Sequence, residues 1–83
     1  METTKVNFRI NNKTGEIFAV FLDTNDNGKY LCYSLYDGTH FDAEKSFLLQ
    51  CKNIGRNSRF NINELCQYLK ARNYENIIVN FRL

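Results

Sequence analysis

The amino-acid sequence predicts an α+β fold, with a four-stranded, mostly antiparallel sheet in the order β-β-β-(α)-α-β and one or two helices packed on one face. Residues 5–36 contain three strand-like apolar segments separated by turn residues. Residues 61–73 carry a helical apolar stripe, and the chain then ends in another alternating segment. A length of 83 residues predicts one domain, residues 1–83.

The three N-terminal strands follow from apolar periodicity. The segment Lys5–Asn11 alternates apolar and polar residues, which is typical of a half-buried strand. The run Ile17–Leu22 is apolar on both faces, so we expect a central strand that is covered on both sides. Asn27–Gly28 predicts a tight hairpin turn into a third strand, Lys29–Tyr36.

The second half of the chain contains one ambiguous element and two clear ones. Asp42 is an N-cap candidate for a short helix, but Ser46–Cys51 fits a strand equally well, and the alternatives stay open. A clearer helix is capped by Asn61 or Asn63. Its apolar stripe consists of Ile62, Leu65, Cys66 and Leu69. The last segment, Ile77–Leu83, predicts a strand paired with one of the first three.

Charge is distributed unevenly along the chain. Residues 1–45 contain five Lys or Arg and seven Asp or Glu, whereas residues 46–83 contain six and two, so the two parts carry −2 and +4. The basic residues of the second part include Lys52, Arg56, Arg59, Lys70 and Arg72. A surface of this kind can contact phosphates or an acidic protein. An ordinary solvated surface is the alternative.

The cysteine pattern predicts free thiols. The three cysteines are Cys32, Cys51 and Cys66, with no C-x-x-C pair. Together with His40 they lack the short paired spacing of zinc sites. Asp23–Gly28 resembles the start of a calcium-binding EF-hand loop, but Ser34 stands where a bidentate Glu is required. We therefore expect no metal and no cofactor. No export signal or membrane-spanning run is seen, which predicts a cytoplasmic protein without membrane contact.

Two site hypotheses arise from single residues. His40, the only histidine, lies between Asp37 and Asp42, but neither a nucleophile elbow nor an oxyanion signature accompanies it, so we do not expect an enzyme. Tyr30 and Tyr36 are predicted to share one strand face and could stack on bases, with arginines at the edge. The candidate interaction residues are Tyr30, Tyr36, His40, Arg56 and Arg59.

Three short segments carry a family resemblance: Ile17–Phe21, Gly28–Tyr33 and Gly38–His40. Their sequence of apolar strand, hairpin, Cys-Tyr strand and Gly-x-His turn resembles small uncharacterised proteins of bacterial mobile elements and phages. Members of that group often carry a proline between the Gly-x-His turn and the helix, which is absent here. The resemblance implies a mobile-element origin and no known enzymatic activity, and it singles out Gly38 and His40.

These observations together predict a small, non-enzymatic protein-interaction module, and the phage and mobile-element resemblance implies an inhibitor or modulator of host machinery. A nucleic-acid-binding accessory protein is the alternative. The main reason is Ile17–Leu22, because one helical layer cannot cover both apolar faces of the strand. The first helix, a second copy of the chain or a partner protein must cover the other face, so a homodimer is also possible.

Overall fold

The computed structural model describes residues 3–56 and 58–83, and expectations that involve Met1, Glu2 or Asn57 lie outside it. The described residues confirm the α+β class. The elements are β1 (Thr4–Ile10), β2 (Ile17–Phe21), a short 3-10 helix (Leu22–Thr24), β3 (Lys29–Ser34), β4 (His40–Glu44), α1 (Lys45–Gln50), β5 (Lys52–Asn53), α2 (Ile62–Lys70) and β6 (Ile77–Val79).

The strands form one sheet in the order β4-β3-β2-β1-β5, and each neighbour in this order is antiparallel. β6 lies parallel to the first half of β1, with Thr4 opposite Ile77 and Val6 opposite Val79. The prediction of four strands was wrong, because β4 and β5 were not recognised. β5 has two residues, which is too few for a periodic pattern.

The two helices pack on opposite faces of the sheet, which corrects the prediction that they share one face. The first face contacts α2 and contains Val6, Phe8, Ala19, Phe21, Tyr33, Leu65 and Leu69. The second face contacts α1 and contains Phe18, Val20, Tyr30, Cys32, Ala43, Leu48 and Cys51. Residues 18–21 of the central strand are all buried. The chain therefore covers both sides of β2 with its own residues.

The ambiguous segment, Ser46–Cys51, is helical over most of its length. β4 continues to Glu44, and α1 begins at Lys45, so Asp42 lies inside a strand and is not an N-cap. The helix is six residues long, and no side chain caps its N-terminus. Phe41 and Ala43 alternate inward along β4 toward the second face, which explains why a strand forms here.

α2 follows the sequence prediction closely. Asn61 is the N-cap, and its side-chain oxygen accepts hydrogen bonds from the backbone N–H groups of Asn63 (2.9 Å) and Glu64 (3.4 Å). All four residues of the predicted stripe pack into the first-face core. Asn73, just beyond the helix, has a φ of 69° and ends it in the left-handed conformation. No helix in the described part of the chain is long and apolar enough to cross a membrane.

The end of the chain departs from the predicted strand Ile77–Leu83. β6 stops at Val79, Asn80 still donates its backbone N–H to the Val6 carbonyl (2.8 Å), and residues 81–83 then leave the sheet. Ile77 and Val79 pack against the first-face core, whereas Leu83 packs against the second. The apolar alternation of Ile77–Leu83 therefore predicted the strand only as far as Val79, because the chain then passes from one face of the sheet to the other.

Candidate functional site

Basic residues of the second half of the chain line two neighbouring grooves. The loop groove has a volume of about 670 Å³, and its lining includes Ile10, Lys52, Ile54, Arg56, Arg59 and Phe60. The terminal groove has a volume of about 720 Å³, and its lining includes Tyr30, Arg56, Asn80, Phe81, Arg82 and Leu83. Arg56 lines both grooves. We call Lys52, Arg56, Arg59 and Arg82 the basic surface.

Strand pairing at the end of β1 positions the loop groove. Ile10 lies opposite Lys52, and Arg9 lies opposite Asn53. The next residue, Ile54, donates its backbone N–H to the Phe8 carbonyl (3.0 Å) and is buried. The connection from β5 to α2 is thus anchored at one end by Ile54 and at the other by the α2 N-cap. Between these anchors it presents Arg56 and Arg59 to solvent.

Side-chain amides position the terminal groove. Asn7 donates to the Asn53 side-chain oxygen (2.7 Å) and to the Asn80 carbonyl (3.0 Å). Asn53 in turn donates to the Phe81 carbonyl (2.7 Å). Asn7 is fully buried, so these bonds are shielded from water. They fix the carbonyls of residues 80 and 81, and the next two residues, Arg82 and Leu83, line the same groove as Arg56.

A buried arginine completes the polar network. Arg9 is 6% exposed, and it donates from Nε to Asn7 Oδ1 (2.9 Å) and from Nη1 to the carbonyls of Leu48 and Cys51 (3.0 Å each). No carboxylate pairs with it among the described residues. Burial lowers the pKa of the Arg9 guanidinium, but an arginine stays charged at neutral pH. Its uncompensated charge adds to the positive potential of this side of the molecule.

Two arginines of the basic surface stack on aromatic rings. The Arg56 guanidinium carbon lies 5.0 Å from the centre of the Phe81 ring, and that of Arg59 lies 5.1 Å from the centre of the Phe60 ring. A cation over a ring face is attracted by the ring without the use of its N–H donors. Within the described parts of the chain, neither group forms a hydrogen bond or an ion pair. Both are therefore available to an anionic ligand.

The five candidate residues do not form one site. Tyr30 and Arg56 line the terminal groove, and Arg56 and Arg59 line the loop groove. Tyr36, which is 84% exposed, follows the opposite end of β3 from Tyr30, so the proposed two-tyrosine stacking platform is not formed. Tyr30 itself is 8% exposed. At the end of β3 that precedes Tyr36, the neighbouring residue Leu35 packs against the first-face core.

His40 belongs to a separate aromatic cluster at the margin of the first face. Its Nε2 is 2.7 Å from the Tyr74 hydroxyl, and its ring lies 5.0 Å from that of Tyr33. Burial, and secondarily the neighbouring Tyr33, raises the pKa of Tyr74. Arg72 donates from Nε to the Tyr33 hydroxyl (3.0 Å). The His40–Tyr74 contact thus joins β4 to the segment that follows α2.

The Gly-x-His turn, residues 38–40, lies next to this same cluster. Gly38 has a φ of +74°, and a Cβ at this position would lie 2.6 Å from Nη2 of Arg72. Glycine is favoured here by both the left-handed backbone and the arginine. Arg72 is therefore engaged at the margin of the first face and does not belong to the basic surface, although the sequence grouped it with Arg56 and Arg59.

The thiols are free and unactivated. Cys32 is fully buried, and burial, with smaller contributions from Asp42 and Cys51, raises its pKa to about 12. Burial also raises the pKa values of Cys51 and Cys66. A thiol with a raised pKa is a poor nucleophile at neutral pH. Cys32 and Cys51 line the second face while Cys66 packs on the first, so the three cannot share a zinc ion.

Sequence reasoning missed four contributors to the site. Arg9 was assigned to a solvent-facing side of β1 because polar residues alternate there, but that side is buried beneath α1. Phe81 and Arg82 were assigned to a regular strand. Phe60 ends a segment, Lys52–Phe60, whose glycine and polar residues predict a loop. The sequence does contain a pattern that indicates these residues. In Arg59-Phe60 and in Phe81-Arg82, a basic residue is adjacent to an aromatic one.

The described residues contain no group of three or more His, Cys, Asp or Glu side chains that could hold a metal ion. No protein-family model, curated protein or solved structure matches the chain. The grooves and their chemistry are therefore the basis for assigning a function.

Proposed function

We propose that this chain is a small, non-enzymatic interaction module that binds an acidic surface of a partner protein through its basic surface. The observation that supports this most directly is the arrangement of Lys52, Arg56, Arg59 and Arg82 along two grooves that share Arg56. Among the described residues, no Asp or Glu lines either groove. A surface of one sign of charge attracts an anionic partner and speeds its association.

The reason for expecting an interaction differs from the one given by the sequence. The apolar second face of β2 no longer requires a partner or a second copy, because α1 and residues 80–83 cover it. The argument for a homodimer through that face is thereby removed. The proposal depends instead on charged groups that are unpaired.

The resemblance of residues 17–40 to mobile-element and phage proteins extends the proposal. A chain of that origin would act on host machinery, so we propose an acidic host protein as the partner, in a reducing cytoplasm where the three thiols stay free. Inhibition or modulation of that partner would follow from occupying its acidic surface.

A nucleic-acid-binding accessory protein is the second candidate. The specific observation in its favour is the pairing of guanidinium groups with Phe60 and Phe81, because single strands are bound by cations interleaved with aromatic rings. The faces of these rings that the arginines cover are not available to bases. This geometry makes a protein partner the better-supported proposal.

Affinity capture with a charge-neutral double variant tests the proposal. Tagged wild-type protein and the Arg56→Gln/Arg59→Gln variant are incubated with nuclease-treated lysate of the cells that produce the chain, and bound proteins are identified by mass spectrometry. We expect the wild type to retain an acidic protein that the variant loses, since both guanidinium groups are needed for the anionic contact.

The matched control is Lys29→Gln/Lys70→Gln, which removes the same charge from exposed positions outside both grooves. It should capture the same protein as the wild type. Equal capture by the double-arginine variant would contradict the proposal. Capture seen only from lysate that was not treated with nuclease, combined with salt-dependent binding of single-stranded oligonucleotides, would favour the second candidate.

A further inference from the structure

We propose that the loop groove is a binding site for a short acidic peptide segment that carries an apolar side chain between its carboxylates. This inference rests on the proposed function and specifies the ligand of the same surface. Its basis is the combination of two free guanidinium groups with an apolar floor.

The floor of the groove is apolar. Ile10 and Phe60 are half-buried, and Ile54 beneath them is 2% exposed. The volume of about 670 Å³ is in the usual range of sites that enclose small ligands. An aliphatic side chain that enters this space would bury its own surface against Ile10 and Phe60, which is favourable by the hydrophobic effect.

The rim of the groove supplies donors for carboxylates. Arg56 and Arg59 are exposed, each lies over a phenylalanine ring, and their N–H groups form no hydrogen bond within the described residues. A guanidinium group binds a carboxylate through two parallel hydrogen bonds. Lys52 adds a third charge at the β5 side of the rim. Two carboxylates can thus bind without displacing any contact within the protein.

A peptide fits these groups better than a nucleic-acid strand does. A base would have to displace Arg59 to stack on the covered face of Phe60, whereas a carboxylate uses only the free edges. The floor, to which Ile10 contributes, matches an aliphatic side chain better than the polar edge of a base. The chemistry of the groove therefore favours an acidic peptide with one apolar residue.

Fluorescence anisotropy with defined probes tests the inference. The first probe is the labelled, end-blocked peptide Asp-Glu-Leu-Glu-Asp, and the second replaces its leucine with serine at unchanged charge. We expect the wild type to bind the leucine peptide about tenfold more tightly than the serine peptide, as burial of one aliphatic side chain provides. The Arg56→Gln/Arg59→Gln variant should lose both, whereas Lys29→Gln/Lys70→Gln should retain both.

A floor variant isolates the apolar part of the site. Ile10→Thr keeps the β-branched shape at a half-buried strand end and removes part of the apolar surface, so the protein should fold while its preference for the leucine peptide falls. Circular dichroism and the melting temperature verify folding. An unchanged preference in this variant would overturn the assignment of the floor.

The remaining outcomes separate the inference from the proposed function. Equal, arginine-dependent binding of both peptides would overturn the inference and leave the proposed function intact. Absence of peptide binding would overturn the inference, and the capture experiment would then decide the proposed function independently. Tighter, arginine-dependent binding of single-stranded oligothymidine than of either peptide would overturn both in favour of nucleic acid.

Discussion

The two faces of the sheet are covered in physically different ways. On the first face, the nine-residue helix α2 buries Leu65 and Leu69 against strand side chains. On the second face, the six-residue helix α1 contributes Leu48 as its buried residue, and Leu83, in a segment without regular structure, packs against the same core. β1 accordingly presents apolar residues to the first face, whereas Asn7 and Arg9 are buried on the second.

The difference shows how a small chain covers both sides of a sheet with only one well-formed helix. A helix of six residues is far too short to be stable alone, and its last carbonyls lack partners within the helix. Arg9 donates from the sheet to the Leu48 carbonyl, which also accepts the Cys51 N–H, and to the carbonyl of Cys51 just after the helix. Asn7 and Asn53 donate in the same way to the carbonyls of residues 80 and 81. Polar side chains of the sheet replace the missing regular structure.

Removal of the buried arginine should have the largest effect on stability. Arg9→Met keeps most of the side-chain volume but leaves two buried carbonyls and Asn7 Oδ1 without the donors that Arg9 provides. We expect the free energy of unfolding to fall by about 4 kcal/mol. That is a large part of the roughly 5–10 kcal/mol available to such a domain. Urea denaturation measures it.

Arg82→Met is the matched control, because Arg82 is exposed. Its effect on the free energy of unfolding should stay within about 0.5 kcal/mol of zero. If Arg9→Met were as mild as Arg82→Met, the second face would not depend on the polar network, and the contrast between the two faces would fail.

The first face should respond to the loss of apolar volume. Leu69 is fully buried between α2 and the sheet, so Leu69→Ala should lower the free energy of unfolding by about 3 kcal/mol. Leu49→Ala on α1, where Leu49 is 59% exposed, is the control and should change it by less than about 1 kcal/mol. Similar losses for the two variants would indicate that burial on α2 is not what stabilises this face.

The first face was also the more predictable one from the sequence. The stripe Ile62–Leu69 has helical spacing, Asn61 is a standard N-cap, and the apolar positions of β1 alternate, so local patterns identify this half of the fold. Asn27–Gly28 was likewise correctly identified as a hairpin turn, since both residues have positive φ. In each case, the information lies within a short stretch of chain.

The second face and the candidate site depend on residues far apart in the sequence. Arg9 acts on carbonyls 39 and 42 residues away, and Asn7 binds a carbonyl 73 residues away. Nothing in the alternation of β1 distinguishes a buried arginine from an exposed one. The grouping of Arg56 with Arg82 could not be predicted for the same reason, since it requires knowing that residues 81–83 leave the sheet.

A smaller effect is expected at the polar margin of the first face. Gly38→Ala places a side chain at a φ of +74° and within 2.6 Å of the Arg72 side chain. The arginine tip can shift, so the backbone conformation sets most of the cost, and we expect a loss of about 1 kcal/mol in the free energy of unfolding. Gly55→Ala, where a Cβ meets open space, should be close to neutral. Equal effects would show that the turn is not constrained.

Titration of the Cys32 thiol should not change the free energy of unfolding at neutral pH and should lower it at alkaline pH. Burial and neighbouring groups raise the pKa of Cys32 to about 12, above the ordinary value of 9.0 that applies when the chain unfolds. The folded state then binds more protons than the unfolded state between pH 9 and pH 12. The free energy of unfolding should be unaffected by this group below pH 9 and should fall as the pH rises through that interval.

Replacement of the thiol tests this, since Cys32→Ala removes the titrating group from the second face. The variant should be less stable at pH 7 because of the lost volume, but its stability should decrease less steeply above pH 9 than that of the wild type. Iodoacetamide labelling provides a second readout, in which Cys66, partly exposed on the first face, reacts before the fully buried Cys32. Rapid labelling of Cys32 in the folded protein would mean that α1 and residues 80–83 open readily. The second face, which depends on hydrogen bonds from Arg9, Asn7 and Asn53, would then be the less stable of the two.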